Sequence, residues 1–149
     1  MKAATRPYPL PQNLERELAH VHAFWNGLKR HEAEMPFWDD VKTTALPELA
    51  SRLMMIEATD KPVRFRIAFG LVGADIKKHH GHDLADEFLD EIDVAAPLQF
   101  LQSQCSATVE GRAPTYYRNA EGAGSYARLV LPLWGDGRVG MLLVAYAFA

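Results

Sequence analysis

The feature that most constrains the fold is the stretch 139–148, which reads VGMLLVAYAF and is apolar on both faces. Such a strand has to be covered on both faces, which places it in the middle of a sheet. The Asp136-Gly137 pair before it predicts a two-residue hairpin turn, so one neighbouring strand is antiparallel and directly precedes it.

Four other segments have the composition of strands. In VRFRIAFGL, every second residue is apolar over five alternations, which is typical of a half-buried strand. SYARLVLPLW alternates in the same way, and Pro132 within it requires a strand end or a bulge, because proline cannot donate to a ladder. Residues 54–59 and 113–120 are the remaining two. The sequence therefore predicts an antiparallel sheet of about five strands.

Helical patterns lie before and between these strands. Residues 13–31 are predicted to form an N-terminal helix with Asn13 as its N-cap. Its apolar residues recur at spacings of four and three: Leu14, Leu18, Val21, Trp25 and Leu28. This stripe fits a homodimer contact as well as packing on its own domain. Helices are also predicted at 46–52 and, with Pro97 near its first turn and Gly111 just past its end, at 96–111.

Three prolines at positions 7, 9 and 11 predict an extended arm over residues 1–12, because each fixes φ and removes a donor. Residues 13–149 then form a single domain. Its predicted class is α+β, an antiparallel sheet with helices on one face and an N-terminal helix.

Composition excludes several classes of function. The chain of 149 residues is 48% hydrophobic, which is enough for a sizeable core. Its net charge is −3, and residues 53–110 carry five Lys and Arg against ten Asp and Glu, so we expect neither a nucleic-acid nor an anionic-membrane partner. A single cysteine, Cys105, excludes a disulfide framework and suits a reducing cytoplasm. The opening MKAATRPYPLPQ lacks the apolar region of a signal peptide, and no later stretch approaches the ~18 apolar residues of a membrane span, so we expect neither.

The stretch IKKHHGHDLADEFLDEID, residues 76–93, concentrates histidines and acids. His79, His80 and His82 are metal-ligand candidates, but their spacing matches no recognised set. The simpler interpretation is a turn at Gly81 between short helices, followed by acids on the solvated side of the second helix. We expect the histidines to point outward.

The order of these motifs resembles a PAS domain, in particular the bacterial single-domain PAS-like sensors found mostly in alphaproteobacteria. The resemblance covers the chain from Leu14 to Ala147 and rests on HAFWNGLKR, on MPFWDDVKTTALPELASRLMMIEA, on FRIAFG, on GHDL and on YARLVLPLWGDGRVGMLLV. The sequence ADE stands where that group has Thr-Gly-Arg. The resemblance implies a five-stranded sheet in the order 2-1-5-4-3 and a sensory or regulatory role, with signalling through a dimer or a protein partner.

The resemblance does not identify a cofactor, and we expect that the domain has none. Haem could be held by His79 or His80, as some PAS sensors use one histidine. A photoreactive flavin is rejected, since QFLQSQC lacks the Asn-Cys-Arg core and places Cys105 on the longer helix, where we expect an ordinary buried residue.

A cavity between sheet and helices would suit a small apolar or aromatic ligand. Its candidate lining residues are Phe65, Phe69, Tyr117, Arg128 and Met141, and Arg66 or Arg128 at its rim could hold a carboxylate. The competing class is a small α+β enzyme that uses a buried Asp or His, with His20, His22 and Asp75 as candidates. No catalytic motif occurs. The sequence favours a cytoplasmic, non-catalytic sensor domain that forms a homodimer.

Overall fold

The computed structural model describes residues 7–30, 33–42, 45–81, 84, 86–92, 97–120 and 125–148, and for residues 69–71 it describes the backbone alone. The helices are α1 (Arg16–Gly27), α2 (Ala74–His80) and α3 (Leu101–Gly111). The strands are β1 (Leu53–Ala58), β2 (Phe65–Val72), β3 (Thr115–Asn119), β4 (Tyr126–Gly135) and β5 (Arg138–Phe148).

The five strands form one antiparallel sheet in the order β2-β1-β5-β4-β3, which confirms the predicted α+β fold and strand order. β5 lies in the centre, with Leu143 paired to Met55 of β1 on one side and to Leu131 of β4 on the other. The hairpin between β4 and β5 is the predicted one, and both its residues, Asp136 and Gly137, have positive φ (56° and 76°) as a type I′ turn requires.

Pro132 occupies a position in β4 where its missing N–H costs no ladder bond. β3 pairs with β4 only as far as Val130, so Pro132 lies beyond the end of that partner. Its carbonyl accepts a hydrogen bond from Trp25 Nε1 at 2.9 Å, and the register shifts just after it, between Leu133 and Trp134. Pro132 itself pairs regularly with Leu142, and the extra residue at the register shift is Gly140 of β5, so the end of the β3 pairing rather than a bulge accommodates the proline.

The sheet is covered on both faces, because side chains of successive strand residues point to opposite sides. The face that carries Arg128 and Tyr146 lies under α3, and the hydroxyls of Thr108 in α3 and Thr115 in β3 are 2.7 Å apart across this layer. We call it the α3 face. The opposite face, which we call the α1 face, lies under α1, where the Tyr116 hydroxyl donates to Glu15 at 2.7 Å.

The apolar stripe of α1 packs on its own sheet. Leu18, Val21 and Trp25 are 0%, 1% and 2% exposed, and Leu14 and Leu28 pack against the same core. The prediction that this stripe forms a dimer contact is therefore wrong for the three buried residues, since they have no surface left for a second subunit. The helix is also shorter than predicted, and Glu15 rather than Asn13 is its N-cap.

Two other predicted helices begin late. Of residues 46–52, only Ala50–Arg52 form a single 3₁₀ turn. The helix predicted over 96–111 starts at Leu101, because Phe100 before it has a left-handed backbone (φ 60°) and the carbonyls of Pro97 and Gln99 point to Arg128 instead of along a helix. Gly111 is the last helical residue, and Arg112 follows with φ 51°.

The acidic segment is not the predicted solvated helix in its described part, residues 86–92. It pairs with the outer edge of β2: Asp86 N–H donates to Ile67, Ile67 N–H donates to Glu87, and Leu89 N–H donates to Phe65, each at 2.8 Å. Two arginines bind acids of this segment. Arg64, just before β2, donates two hydrogen bonds to Asp90, and Arg66 in β2 lies 3.5 Å from Asp86.

The other edge of the sheet is covered by the N-terminal arm, which the structure describes from residue 7. The Tyr8 carbonyl accepts a hydrogen bond from Tyr116 N–H at 3.0 Å, and the Tyr8 hydroxyl donates to Ser103 at 2.9 Å. Covered edges protect a sheet from pairing with other chains. Among the described residues, no helix has the length and apolar character needed to cross a bilayer.

Candidate functional site

Arg128 lies in the middle of β4 on the α3 face and is 0% exposed. Its guanidinium donates three hydrogen bonds to residues that the structure describes. Nε donates to Gln104 Oε1 at 2.7 Å, Nη1 donates to the Pro97 carbonyl at 2.9 Å, and Nη2 donates to the Gln99 carbonyl at 2.7 Å. All three acceptors are neutral.

Three tyrosine rings surround the same guanidinium. Its central carbon lies 4.9 Å from the ring centre of Tyr117 and 5.9 Å from those of Tyr126 and Tyr146, within the range of a cation–π contact. Tyr146 also donates its hydroxyl proton to the Pro97 carbonyl at 2.7 Å. We call Arg128 and these rings the arginine–tyrosine cluster.

The cluster holds a buried positive charge that pairs with no acid among the residues that the structure describes. Within the described ranges, the ion pairs involve other arginines, such as Arg64 with Asp90 and Arg66 with Glu57, and none involves Arg128. Taking an ion out of water costs several kcal/mol even after relaxation, and here carbonyl dipoles and ring faces supply the compensation.

Burial keeps the acidic groups around Arg128 protonated. It raises the pKa of Tyr146 and of Cys105 each to about 12, although the nearby Arg128 charge acts in the opposite direction. Burial also raises the pKa of Tyr126. The hydroxyls therefore stay neutral near pH 7, and the thiol is not a reactive nucleophile. This confirms the prediction that Cys105 is an ordinary buried residue.

Residues 97–100 close the cluster toward solvent, and we call them the closing segment. Two of its carbonyls bind the guanidinium, and its last residue, Phe100, is 61% exposed. The Phe100 ring meets the edge of the half-buried Tyr117 at 5.7 Å, and Tyr8 meets Tyr117 from the arm at 6.3 Å. The cluster is thus separated from water by aromatic rings and a short irregular segment.

The predicted pocket residues are only partly brought together. Tyr117 and Arg128 are in contact. Phe65 lies on the same α3 face, but it is buried in β2, at the opposite edge of the sheet from Tyr117 in β3. Met141 pairs with Glu57 and faces the opposite way, where it lines a surface cleft of about 430 Å³ together with Trp38. The side chain of Phe69 lies outside the described residues.

The two arginines predicted for a pocket rim have different surroundings. Arg128 is fully buried. Arg66 donates to Glu57 at 2.7 Å and lies 3.5 Å from Asp86, so its charge is already met by two carboxylates.

His79 and His80 lie at the end of α2, and Phe148 separates His79 from the arginine–tyrosine cluster, since Phe148 also stacks on Tyr146 with ring centres 5.2 Å apart. The exposed His79 ring stacks on Phe148 at 3.8 Å, and its Nδ1 is 2.8 Å from the Asp75 carbonyl, while His80 is half-buried. His82 lies outside the described residues. In the part of the chain that the structure describes, no group of three or more His, Cys, Asp or Glu could hold a metal.

The candidate residues for an enzyme have separate surroundings. His20 is exposed on α1, and burial together with the Lys29 charge lowers the pKa of His22, which contacts Trp25. Asp75 accepts a hydrogen bond from Ser51 at 2.8 Å. No hydrogen bond among the described residues joins either histidine to this carboxylate.

Sequence reasoning missed Gln104, Tyr126 and Tyr146 as members of the site. One signal was available: a single arginine stands in an otherwise apolar strand, two residues from Tyr126 and therefore on the same face. Counting outward from the β4–β5 turn would place Ala145 opposite Arg128, and only the register shift between Leu133 and Trp134 moves the pairing to Tyr146. No protein-family model matches this chain, and no curated protein matches it either.

Proposed function

We propose that this chain is a PAS-like sensory or regulatory domain that binds a small molecule on the α3 face of its sheet. The observation that carries the proposal is the arginine–tyrosine cluster, a buried cation that is surrounded by rings and has no acid partner in the described chain. Charged groups that are buried without an opposite charge are uncommon in a purely structural core and are common at binding sites. The sheet order of a PAS domain supports this at the level of fold alone.

The domain acts by binding rather than by catalysis in this proposal. Burial raises the pKa of the Cys105 thiol and of the Tyr146 hydroxyl to about 12. Neither group is therefore suited to proton transfer at neutral pH. The output is a contact with a cytoplasmic protein partner or with a second copy of the chain. Such a contact uses a surface other than the stripe of α1, because that stripe is largely buried. Trp38 and Phe100 are candidates for it, since both are large hydrophobic residues with exposed side chains.

A fragment screen tests the proposal. Purified protein is screened for thermal stabilisation, and each stabilising compound is mapped by the amide shifts of ¹⁵N-labelled protein. We expect shifts that centre on the α3 face, at Gln104, Tyr117 and Tyr126. Compounds that bind only at the α1 face, or a complete absence of stabilising compounds, would contradict the proposed function.

A further inference from the structure

We infer that the ligand of this site is a small carboxylate with an aromatic or apolar body, and that it pairs with Arg128 in place of the carbonyls of Pro97 and Gln99. The inference rests on the proposed function, since it names the chemical class of the ligand on the α3 face. Its basis is the geometry of the guanidinium and of the closing segment.

The guanidinium of Arg128 is held by neutral groups. Three of the five N–H groups of Arg128 have neutral acceptors at 2.7–2.9 Å. A carboxylate accepts two parallel N–H bonds from a guanidinium and also supplies a negative charge, which none of the described acceptors around Arg128 carries. Nη1 and Nη2 are the nitrogens held by the closing segment, so they are also the pair of donors that a bidentate carboxylate would use.

The surroundings specify the rest of the ligand. The tyrosine rings present flat apolar surfaces, and burial raises the pKa of Tyr126 and Tyr146, so these two hydroxyls do not repel an anion. Gln104 remains on Nε and fixes the plane of the guanidinium from the α3 side. A planar acid such as benzoate or 4-hydroxyphenylacetate matches this combination of one cation and several ring faces.

The closing segment combines buried and exposed residues, because Pro97 and Leu98 are buried and Phe100 is exposed. It lies outside regular secondary structure, it ends at Phe100 with a left-handed backbone (φ 60°), and most of the Phe100 side chain is in water. A non-glycine residue in this conformation carries local strain. Phe100 also accepts the Gln104 N–H bond at 2.9 Å, and Leu98 accepts the Leu101 N–H bond at 3.1 Å. Displacement of the segment from Arg128 would therefore loosen the first turn of α3, which gives binding a structural consequence.

The test uses matched compounds that differ in charge. Benzoate is compared with benzamide, and 4-hydroxyphenylacetate with 4-hydroxyphenylacetamide, by thermal shift and ligand-observed NMR up to millimolar concentration. The proteins are the wild type, Arg128→Met and, as a control that removes an exposed arginine from β3, Arg118→Met. We expect the acids to bind at least tenfold more tightly than the amides to wild type and Arg118→Met, and this preference to be lost in Arg128→Met.

The outcomes separate this inference from the proposed function. Equal binding of acid and amide, or an acid preference that survives in Arg128→Met, overturns the carboxylate inference and leaves a small-molecule sensor in place. If neither acid nor amide binds while screened fragments map to the α3 face, Arg128 is a structural residue alone and the carboxylate inference is overturned. A failure of all compounds, screened fragments included, overturns both.

A second measurement does not depend on the variant being folded. Amide hydrogen exchange of the wild type is measured with and without a saturating acid. We expect the amides of Leu101 and Gln104 to exchange faster with the acid bound, although the protein as a whole melts at a higher temperature. Unchanged or slower exchange at both amides would show that the closing segment stays on Arg128, and would overturn the displacement.

Discussion

At the scale of single residues, the neighbours of a side chain decide its role more than its type does. Arg64 and Arg66 each meet carboxylates and cover Phe88, so they are structural clamps at the edge of the sheet. Arg128 belongs to the same residue type but meets carbonyls and rings in the interior. This contrast is the reason for placing the candidate site at Arg128.

Gly73 is required by the close approach of two backbones. A Cβ at this position would overlap the carbonyl of Ser51, whereas a Cβ at Gly111, at the end of α3, would meet no atom within 4 Å. We expect Gly73→Ala to lower the free energy of unfolding by about 1–3 kcal/mol through overpacking. Gly111→Ala is the control and should raise it by about 0.5–1 kcal/mol, since alanine favours the helix. Urea denaturation measures both; equal effects would contradict the packing at Gly73.

Tyr146 makes the protein labile in alkali. Its folded pKa of about 12 lies above the unfolded value of 10, so its contribution to stability is complete below pH 10 and is lost as the pH rises toward 12. The size is on the order of 2–3 kcal/mol. We expect the free energy of unfolding of the wild type to fall more steeply over this range than that of Tyr146→Phe. Parallel curves for the two proteins would contradict the burial of the hydroxyl; Cys105, which is present in both, cancels.

At the scale of elements, the periodicity of strands was a better guide than that of helices. β5 and β4 were predicted to within about one residue because their side chains alternate or are apolar throughout. α3 was predicted to start too early, since nothing local shows that Pro97 and Gln99 direct their carbonyls to an arginine 29 or more residues later. The acids of residues 86–92 read as helix because their partners, Arg64 and Arg66, are distant in sequence.

The edge segment 86–92 depends on Arg64. This side chain binds Asp90 with two hydrogen bonds of 2.7 and 2.8 Å and lies 3.8 Å from the ring of Phe88. We expect Arg64→Gln to speed exchange of the Leu89 amide several-fold, because that amide bonds to the edge of β2. The free energy of unfolding of the whole domain should change little, because the ion pair is partly exposed and is screened by solvent. Arg118→Gln is the control, and loss of protection across β5 instead would contradict a local role.

The packing of α1 predicts how two charge substitutions differ. Trp25 is buried and donates to the Pro132 carbonyl, whereas Ala23 is exposed on the other side of the helix. We expect Trp25→Glu to lower the free energy of unfolding by about 3 kcal/mol or more, and Ala23→Glu to change it little. Urea denaturation and light scattering provide the measurements. A folded Trp25→Glu protein of smaller molar mass than the wild type would show that the stripe is a dimer contact after all.

At the scale of the whole molecule, the sheet could be predicted from the sequence and the site could not. One two-sided strand and one hairpin turn predicted a central β5, and the resemblance to PAS domains supplied the strand order that the structure confirms. The arginine–tyrosine cluster joins side chains of β3, β4 and β5 with the closing segment and α3. These contacts depend on the three-dimensional arrangement, which no local pattern of residues contains.

The central claim is that the cluster around Arg128 is a binding site for a small molecule. Native mass spectrometry of freshly purified protein tests it most directly, because it reports a retained ligand and the number of subunits together. We expect wild type and Arg118→Met to carry a small acidic compound that Arg128→Met lacks, and denaturation followed by mass analysis to identify it. A wild-type protein of bare mass that also gains none when incubated with cell extract metabolites would contradict the claim.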